Sequence, residues 1–271
     1  AIFFGTGQER ADVGLGAILG APFMLATLVL PILAALLLLY ARMGKRAERF
    51  KLNYRDVRID LQFFVVAYGL AMACVFVEVA PVRYTVAVLL VMFYVVYMKL
   101  KFSSEQKEDT AVDPLFWARR SSRPSYTLIG MQAAVGLLGL VGGAHLFVTA
   151  AKSLAGELDV SPLLLSLLIA PLATELPEMS NSFLWLYQKK DTLAVGNVTG
   201  AMVFQGTFPV SVGLVGTNWD LSLTAVLTMG LALTAASFGI LQVLWTGQWR
   251  PWLLIPAALL YIGFTVYLYG S

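Results

Sequence analysis

The chain has 271 residues, of which 59% are hydrophobic and 13% charged, and its mean hydropathy is +0.77. Composition excludes a soluble domain, because several apolar runs reach the roughly 20 residues that cross a bilayer, and it indicates a polytopic helical membrane protein. The net charge of +3 does not indicate nucleic-acid binding, because the basic residues lie almost entirely between the hydrophobic runs.

Hydropathy and chain breakers predict eight membrane-spanning helices. They cover residues 13–40, 59–78, 83–100, 127–152, 161–187, 192–216, 222–245 and 252–270. Three of them precede a polar stretch at 103–126 and five follow it, and we interpret this stretch as a cytoplasmic linker. The chain therefore divides into a first part at 1–102, the linker at 103–126 and a second part at 127–271.

Lysine and arginine predict the orientation of the spans. All of the 19 basic residues except Arg10, Arg83 and Lys152 lie at or after the ends of the first, third, fifth and seventh spans. The positive-inside rule makes these loops cytoplasmic and puts both termini outside. We expect an integral multi-pass protein, surrounded by membrane lipid, in a prokaryotic inner (plasma) membrane.

Two glycine-rich spans repeat one small-residue pattern. Residues 12–31 and 192–211 share G-x-x-x-G-A, which starts at Gly16 in the first copy and at Gly196 in the second. Because the second copy is the fifth span after the first, and an odd offset reverses direction, the two helices must run antiparallel. This is the arrangement of an inverted-topology transporter repeat.

The second glycine-rich span directly follows the span at 161–187 through a short turn, whereas the first copy has no such partner before it. We therefore expect two further spans upstream of Ala1. With the eight that the chain contains, they would make ten spans in two inverted halves of five.

The span at 161–187 carries two carboxylates near its middle, Glu175 and Glu178. An ionised carboxylate in hydrocarbon costs several kcal/mol unless a cation, a proton or hydrogen bonds compensate it, so such acids indicate a functional site. The spacing puts both on one helix face, and Pro171 and Pro177 weaken the helix beside them. The two acids can hold a cation or share a proton, and without a cation we expect at most one negative charge on the pair.

The stretch A-T-E-L-P-E at 173–178 resembles the G-T-S-L-P-E motif of the sodium/calcium exchangers, the calcium:cation antiporter superfamily. The stretch G-N-V-T-G-A-M-V-F-Q at 196–205 is similar to the companion motif G-N-V-I-G-S-N-I-x-D. The resemblance implies an all-α inverted-repeat exchanger fold of ten helices with both termini outside. It also implies that Glu178 is the principal ion ligand and that Thr174 supplies an oxygen at a helix break.

The sequence departs from the family pattern at the positions that would hold the ion. Gln205 stands where the family has an acid, and Glu175 stands where it has a serine. Gln205 could donate a hydrogen bond to Glu178, be a ligand through its carbonyl oxygen, or only join two helices, and Glu175 could likewise bond a neighbouring helix. We predict Glu178, Glu175, Thr174 and Gln205 as the metal ligands, with Ca2+, Na+ or H+ as the transported ion and no cofactor.

These observations predict a secondary cation antiporter, exchanging calcium or another cation against sodium or protons by alternating access at the acidic site. No enzyme activity is expected, because no nucleophile motif accompanies the acids. The alternative is an exchanger-like structural or accessory subunit of a larger membrane complex that has lost transport. That alternative predicts partner membrane subunits, and neither interpretation includes a nucleic-acid partner.

Overall fold

A computed structural model describes residues 8–77, 79–104, 115–118, 125–157, 167–168 and 170–270 of the chain. All regular secondary structure in these residues is helical, which confirms the predicted fold class. The α-helices are α1 (Gln8–Met24), α2 (Leu30–Arg42), α3 (Tyr54–Ala73), α4 (Ala80–Ser104), α5 (Tyr126–Glu157), α6 (Ala170–Tyr187), α7 (Asp191–Gly216), α8 (Leu223–Thr246), α9 (Pro251–Leu254) and α10 (Ala258–Gly270).

In the described part of the chain, seven segments are long and apolar enough to cross a membrane, which makes this an integral multi-pass membrane protein. They are Gly14–Arg42, Tyr54–Phe76, Ala80–Ser103, Tyr126–Gly143, Asp191–Gly216, Leu223–Thr246 and Pro251–Leu268. Each coincides with a predicted span. The remaining predicted span, 161–187, is described only at 167–168 and from residue 170, where α6 carries the two glutamates. The total of ten spans and the three-part division of the chain stay predictions.

The first span is one long helix with an irregular middle. A π-helical segment, Leu25–Val29, joins α1 to α2, with Pro22 on its N-terminal side and Pro31 on its C-terminal side. Proline removes a backbone donor, and an extra residue in a turn is one way in which a helix accommodates this loss. The irregular segment begins at Leu25, which corresponds to Gln205 in the repeated pattern.

The two glycine-rich helices run antiparallel, as predicted. A Cβ atom placed on Gly213, near the end of α7, would lie 3.5 Å from side-chain atoms of Leu15 and Ile18 near the start of the first helix. At the opposite end, Arg46 follows α2 and bonds to Asp191, the first residue of α7. The start of the first helix thus lies beside the end of α7, and its end lies beside the start of α7, so the two helices run in opposite directions.

Helix α7 lies at the centre of the described molecule and packs against α1, α3, α4 and α6. Helix α1 also approaches the beginning of α6 closely at Gly20. A Cβ atom there would lie 2.5 Å from the carbonyl oxygen of Leu167 and 2.6 Å from Cγ of Pro171. The N-terminal turn of α6, which leads to the two glutamates, is therefore held between α1 and α7.

Candidate cation site

Helices α6 and α7 bring the four predicted ligands together, since α6 carries Thr174, Glu175 and Glu178 and α7 carries Gln205. Pro177 lies between the two glutamates and has no N–H, so the helix loses one backbone hydrogen bond beside them. The helix nevertheless continues through this proline to Tyr187. We call these four residues the paired-glutamate site. The three of them that belong to α6 stand on a weakened but continuous helix.

Glu175 is 1% exposed, and one of its carboxyl oxygens is held by α7. Gln205 Nε2 donates to Glu175 Oε1 over 2.8 Å. The sequence left open a hydrogen bond from Gln205 to Glu178, and in the structure the amide donates to Glu175 instead. Because the nitrogen of the carboxamide faces Glu175, its oxygen keeps its capacity to accept a hydrogen bond or contact a cation.

The hydroxyl of Thr174 adds a second polar group beside Glu175. Thr174 Oγ1 lies 3.2 Å from Glu175 Oε1 and also 3.2 Å from the carbonyl oxygen of Pro171. A hydroxyl has one proton, so it donates to one of these acceptors at a time, and its lone pairs remain for another partner. Thr174 is exposed, unlike Glu175, and stands at the more accessible side of the site.

Glu178 is partly buried and keeps one carboxyl oxygen without a hydrogen-bond partner. Among the described residues, neither Glu178 Oε2 nor Glu175 Oε2 has a donor, although both atoms are buried. No lysine or arginine in that part of the chain lies within salt-bridge distance of either acid. The two carboxyl groups also interact electrostatically. An orphaned buried oxygen costs free energy, and two of them on neighbouring acids form an arrangement that a cation would stabilise.

Asn197 of α7 holds α7 against α6, next to the site. Its Nδ2 donates to the backbone oxygen of Glu178 and to Ser182 Oγ, each over 3.0 Å. Asn197 of α7 therefore joins α7 to α6 through these two hydrogen bonds. The backbone carbonyl of Glu178 is consequently occupied, and its side chain is the group left for a cation.

The site offers two carboxylates, one hydroxyl and one carboxamide oxygen. Calcium usually takes six to eight oxygen ligands, often with several carboxylates. Within the described residues, no group of three Asp, Glu, His or Cys side chains converges. The oxygen set that these four described residues supply is therefore smaller than a complete calcium site.

Two buried acids outside the site were not predicted from the sequence. Asp60, in α3, is 1% exposed and lies 2.6 Å from Lys101 Nζ, and Asp191, at the start of α7, is 2% exposed and lies 2.5 Å from Arg46 Nη2. Both acids occur at the ends of apolar spans, where hydropathy alone assigns charged residues to solvent. A basic residue at the end of a neighbouring span was the available signal, because adjacent span ends meet at one membrane surface.

The fold and the site together define a multi-pass helical membrane protein with an acidic candidate site between α6 and the glycine-rich helix α7. The sequence matches the sodium/calcium exchanger protein family over residues 130–270, which is just over half of the chain. The chain belongs to this family, as its two motifs indicate. The matched range falls within the predicted second part of the chain.

Two curated relatives are similar over parts of their length. A protein of Alkalimonas amylolytica named as the antiporter CaxA is 32% identical over 107 residues, which are 38% of this chain and 33% of that protein. The uncharacterized membrane protein MJ0091 of Methanocaldococcus jannaschii is 26% identical over 118 residues, 43% of this chain and 36% of that protein. The chain thus matches about a third of the length of each.

The fold is also similar to a solved structure, the crystal structure of the H+/Ca2+ exchanger CAX. The TM-score is 0.73 at 14% sequence identity, and the alignment covers 98% of this chain and 69% of the other. At this identity the similarity concerns the fold alone. It confirms that the helices of this chain adopt the exchanger architecture.

Proposed function

We propose that this chain functions in secondary cation antiport, exchanging calcium or another cation against sodium or protons by alternating access. Membership of the exchanger family supports cation antiport in general. The observation that carries the assignment of the site is the pair of buried carboxyl oxygens, Glu175 Oε2 and Glu178 Oε2, which have no donor among the described residues. We assign the cation to these oxygens, with Thr174 and Gln205 beside them.

The four residues take different roles in this proposal. Glu178 is the principal ligand, because it is the more accessible acid and, unlike Glu175, its carboxylate accepts no hydrogen bond among the described residues. Glu175 contributes its second oxygen while Gln205 holds the first. The exposed hydroxyl of Thr174 is the first oxygen that an entering cation meets. Opposing ions compete for this one set of oxygens, and the two repeats expose it in turn to each side of the membrane.

The proposed setting is a prokaryotic inner membrane with the basic loops in the cytoplasm. Membrane lipid is then the main partner, and companion membrane subunits are compatible with this site if they add oxygens to it. The small oxygen set of the four described residues favours an ion that needs few ligands over a calcium ion with six to eight. A transporter, rather than an enzyme, is the class that this site supports.

Ion flux in proteoliposomes that contain the full-length protein tests the proposal. We expect uptake to require an opposed sodium or proton gradient and to fall at least tenfold in Glu178→Gln, because the neutral amide removes the principal ligand charge. Glu175→Gln keeps an acceptor for Gln205 and is expected to weaken cation affinity less. Glu48→Gln, in an exposed loop, is the matched control and should transport like the unchanged protein.

The same experiment separates antiport from the alternative. Gradient-driven flux that persists undiminished in Glu178→Gln would contradict the site assignment. A folded protein that shows no gradient-coupled flux with calcium, sodium or protons would contradict antiport and favour the accessory-subunit interpretation.

A further inference from the structure

Asp60 is the centre of a buried polar network that the proposed transport site does not use. Its carboxylate accepts hydrogen bonds from Tyr97 Oη over 3.0 Å and from Thr199 Oγ1 over 2.6 Å, and it pairs with Lys101 Nζ over 2.6 Å. We call these four residues the Asp60 network. They belong to α3, α4 and α7, so the network joins three helices. Both carboxyl oxygens have partners, because Tyr97 and Lys101 contact Oδ1 and Thr199 contacts Oδ2.

Thr199 connects this network to the helix that serves the paired-glutamate site. At 3.6 residues per turn, Thr199 points about 160° away from Asn197 and about 120° away from Gln205 around the axis of α7. Asn197 and Gln205 contact α6, where they bond to the carbonyl of Glu178 and to the carboxylate of Glu175. Helix α7 is therefore held by polar groups on two sides, and the rotation of the helix determines whether both sets of bonds can form.

A close steric contact lies on the same face of α7 as Thr199. Gly206 is seven residues further along, which places it about 20° from Thr199. A Cβ atom on Gly206 would lie 2.9 Å from Cδ2 of Phe64, one turn after Asp60 on α3. Two contacts about two turns apart thus fasten α7 to α3, a hydrogen bond at Thr199 and a tight packing contact at Gly206.

We propose that Asp60, acting through Thr199, is a positioning residue for the cation site. The hydrogen bond from Thr199 sets the rotation of α7, so that Gln205 reaches Glu175 on the other side of the helix. The expected effect on transport rests on the proposed function. The effect on the hydrogen bond between Gln205 and Glu175 does not. Neither Asp60 nor Thr199 contacts the cation in this account.

The geometry makes the site sensitive to a small rotation. A side-chain atom about 5 Å from the helix axis moves by about 2 Å when the helix turns by about 20°. The bond from Gln205 to Glu175 is 2.8 Å long, and a hydrogen bond is lost when it lengthens beyond about 3.5 Å. Loss of the Thr199 bond also leaves a buried carboxyl oxygen of Asp60 without its donor, which favours a shift of the helix toward another arrangement.

Thr199→Val and Thr207→Val form a matched pair of variants for the test. Both threonines are fully buried on α7, but the hydroxyl of Thr207 donates within its own helix, to the carbonyl of Val203 over 2.6 Å. Valine keeps the shape of threonine and removes the hydroxyl in each case. Only Thr199→Val removes a bond to another helix.

The first readout is ion flux by the full-length protein in proteoliposomes. We expect Thr199→Val to raise the half-saturating cation concentration about fivefold to tenfold with a smaller effect on maximal flux, whereas Thr207→Val stays within about twofold of the unchanged protein. Thr199→Ser keeps the hydroxyl and should restore the affinity. Equal effects of the two valine variants would contradict the positioning role.

The second readout does not depend on transport. The infrared carboxyl band of Glu175, identified by its loss in Glu175→Gln, reports the hydrogen bond from Gln205. We expect Thr199→Val to shift this band in the same direction as Gln205→Leu, and Thr207→Val to leave it in place. An unshifted band in Thr199→Val would overturn the proposal, whereas a shifted band in a protein without gradient-coupled flux would contradict only the proposed function.

A double variant tests the same role if Thr199→Val is not recovered in folded form. Asp60→Leu/Lys101→Met replaces an ion pair that has a buried acid with apolar side chains, a change that protein interiors often tolerate when both partners are replaced together. It removes the acceptor of Thr199 while leaving α7 unchanged. The band of Glu175 should shift as in Gln205→Leu, and a band that stays in place would contradict the proposal.

Discussion

Glu175 and Glu178 lie three residues apart on one helix face, yet their surroundings differ. Glu175 is 1% exposed and one of its carboxyl oxygens is contacted by an amide and a hydroxyl, whereas the partly buried carboxylate of Glu178 accepts no hydrogen bond in the described part of the chain. A carboxylate that already accepts hydrogen bonds is less available to a cation than one that accepts none. This difference in environment, rather than the shared residue type, is the reason why we propose Glu178 as the principal ligand.

Glycine at position 20 has a role that the repeated glycine pattern alone does not reveal. We expect Gly20→Ala to destabilise the protein by about 1–3 kcal/mol, because the added carbon would meet the carbonyl oxygen of Leu167 at 2.5 Å and force α1 away from α6. Thermal unfolding of the purified protein in detergent measures this as a lower Tm.

Gly196→Ala is the matched control from the second copy of the pattern. A Cβ atom at this position meets nothing within 4 Å in the described structure, and alanine favours helix over glycine by up to about 1 kcal/mol. Its Tm should be unchanged or raised. If Gly20→Ala and Gly196→Ala lowered the Tm equally, the loss in Gly20→Ala could not be attributed to the close approach of α1 to α6.

A second buried ion pair, between Arg46 and Asp191, holds the connections between helices in place. Asp191 accepts from Arg46 Nη2 over 2.5 Å and from the backbone N–H of Lys51 over 2.8 Å, while Arg46 Nη1 also donates to the carbonyl oxygen of Leu186 over 3.1 Å. These bonds tie the loop after α2 to the turn between α6 and α7. The loop thus helps to hold α6 and α7, the two helices of the proposed cation site, at a fixed distance.

We expect Arg46→Met to be strongly destabilising, by about 3–5 kcal/mol, because it leaves Asp191 buried without its charge partner. Thermal unfolding and protease cleavage within the 43–53 loop measure the effect, with cleavage becoming faster. Arg49→Met, at an exposed position in the same loop, is the control and should change little. If Arg46→Met lowered the Tm no more than Arg49→Met does, the ion pair would not be what holds the loop in place.

The arrangement of the whole molecule in the membrane follows from charge and from the number of spans. The basic loops predict a cytoplasmic side at the 43–53 loop, and the turn between α7 and α8 must lie on the opposite side because one span separates it from the α6–α7 turn. The bond from Arg46 to Asp191 agrees with this arrangement, since it places the loop after α2 beside the α6–α7 turn.

Cysteine labelling in intact cells tests this orientation. In a Cys74→Ala background, we expect Asn218→Cys to react with a membrane-impermeant thiol reagent added outside and Glu48→Cys to react only after the membrane is opened. The substituted positions are exposed, whereas Cys74 is 3% exposed. The reverse pattern of labelling would invert the predicted topology.

The sequence by itself determined the membrane spans, the antiparallel glycine-rich helices and the positions of Glu175 and Glu178, because hydropathy, span number and spacing are properties of contiguous residues. Pairing across helices depends instead on how each helix is rotated and how closely it approaches its neighbours. Only the tertiary structure therefore decided that Gln205 bonds to Glu175 and that Asp60 is buried against Thr199. It also decided that a Cβ atom on Gly20 would meet Leu167 and Pro171 whereas one on Gly196 would meet nothing within 4 Å, since the glycines of one repeated pattern can face different surroundings.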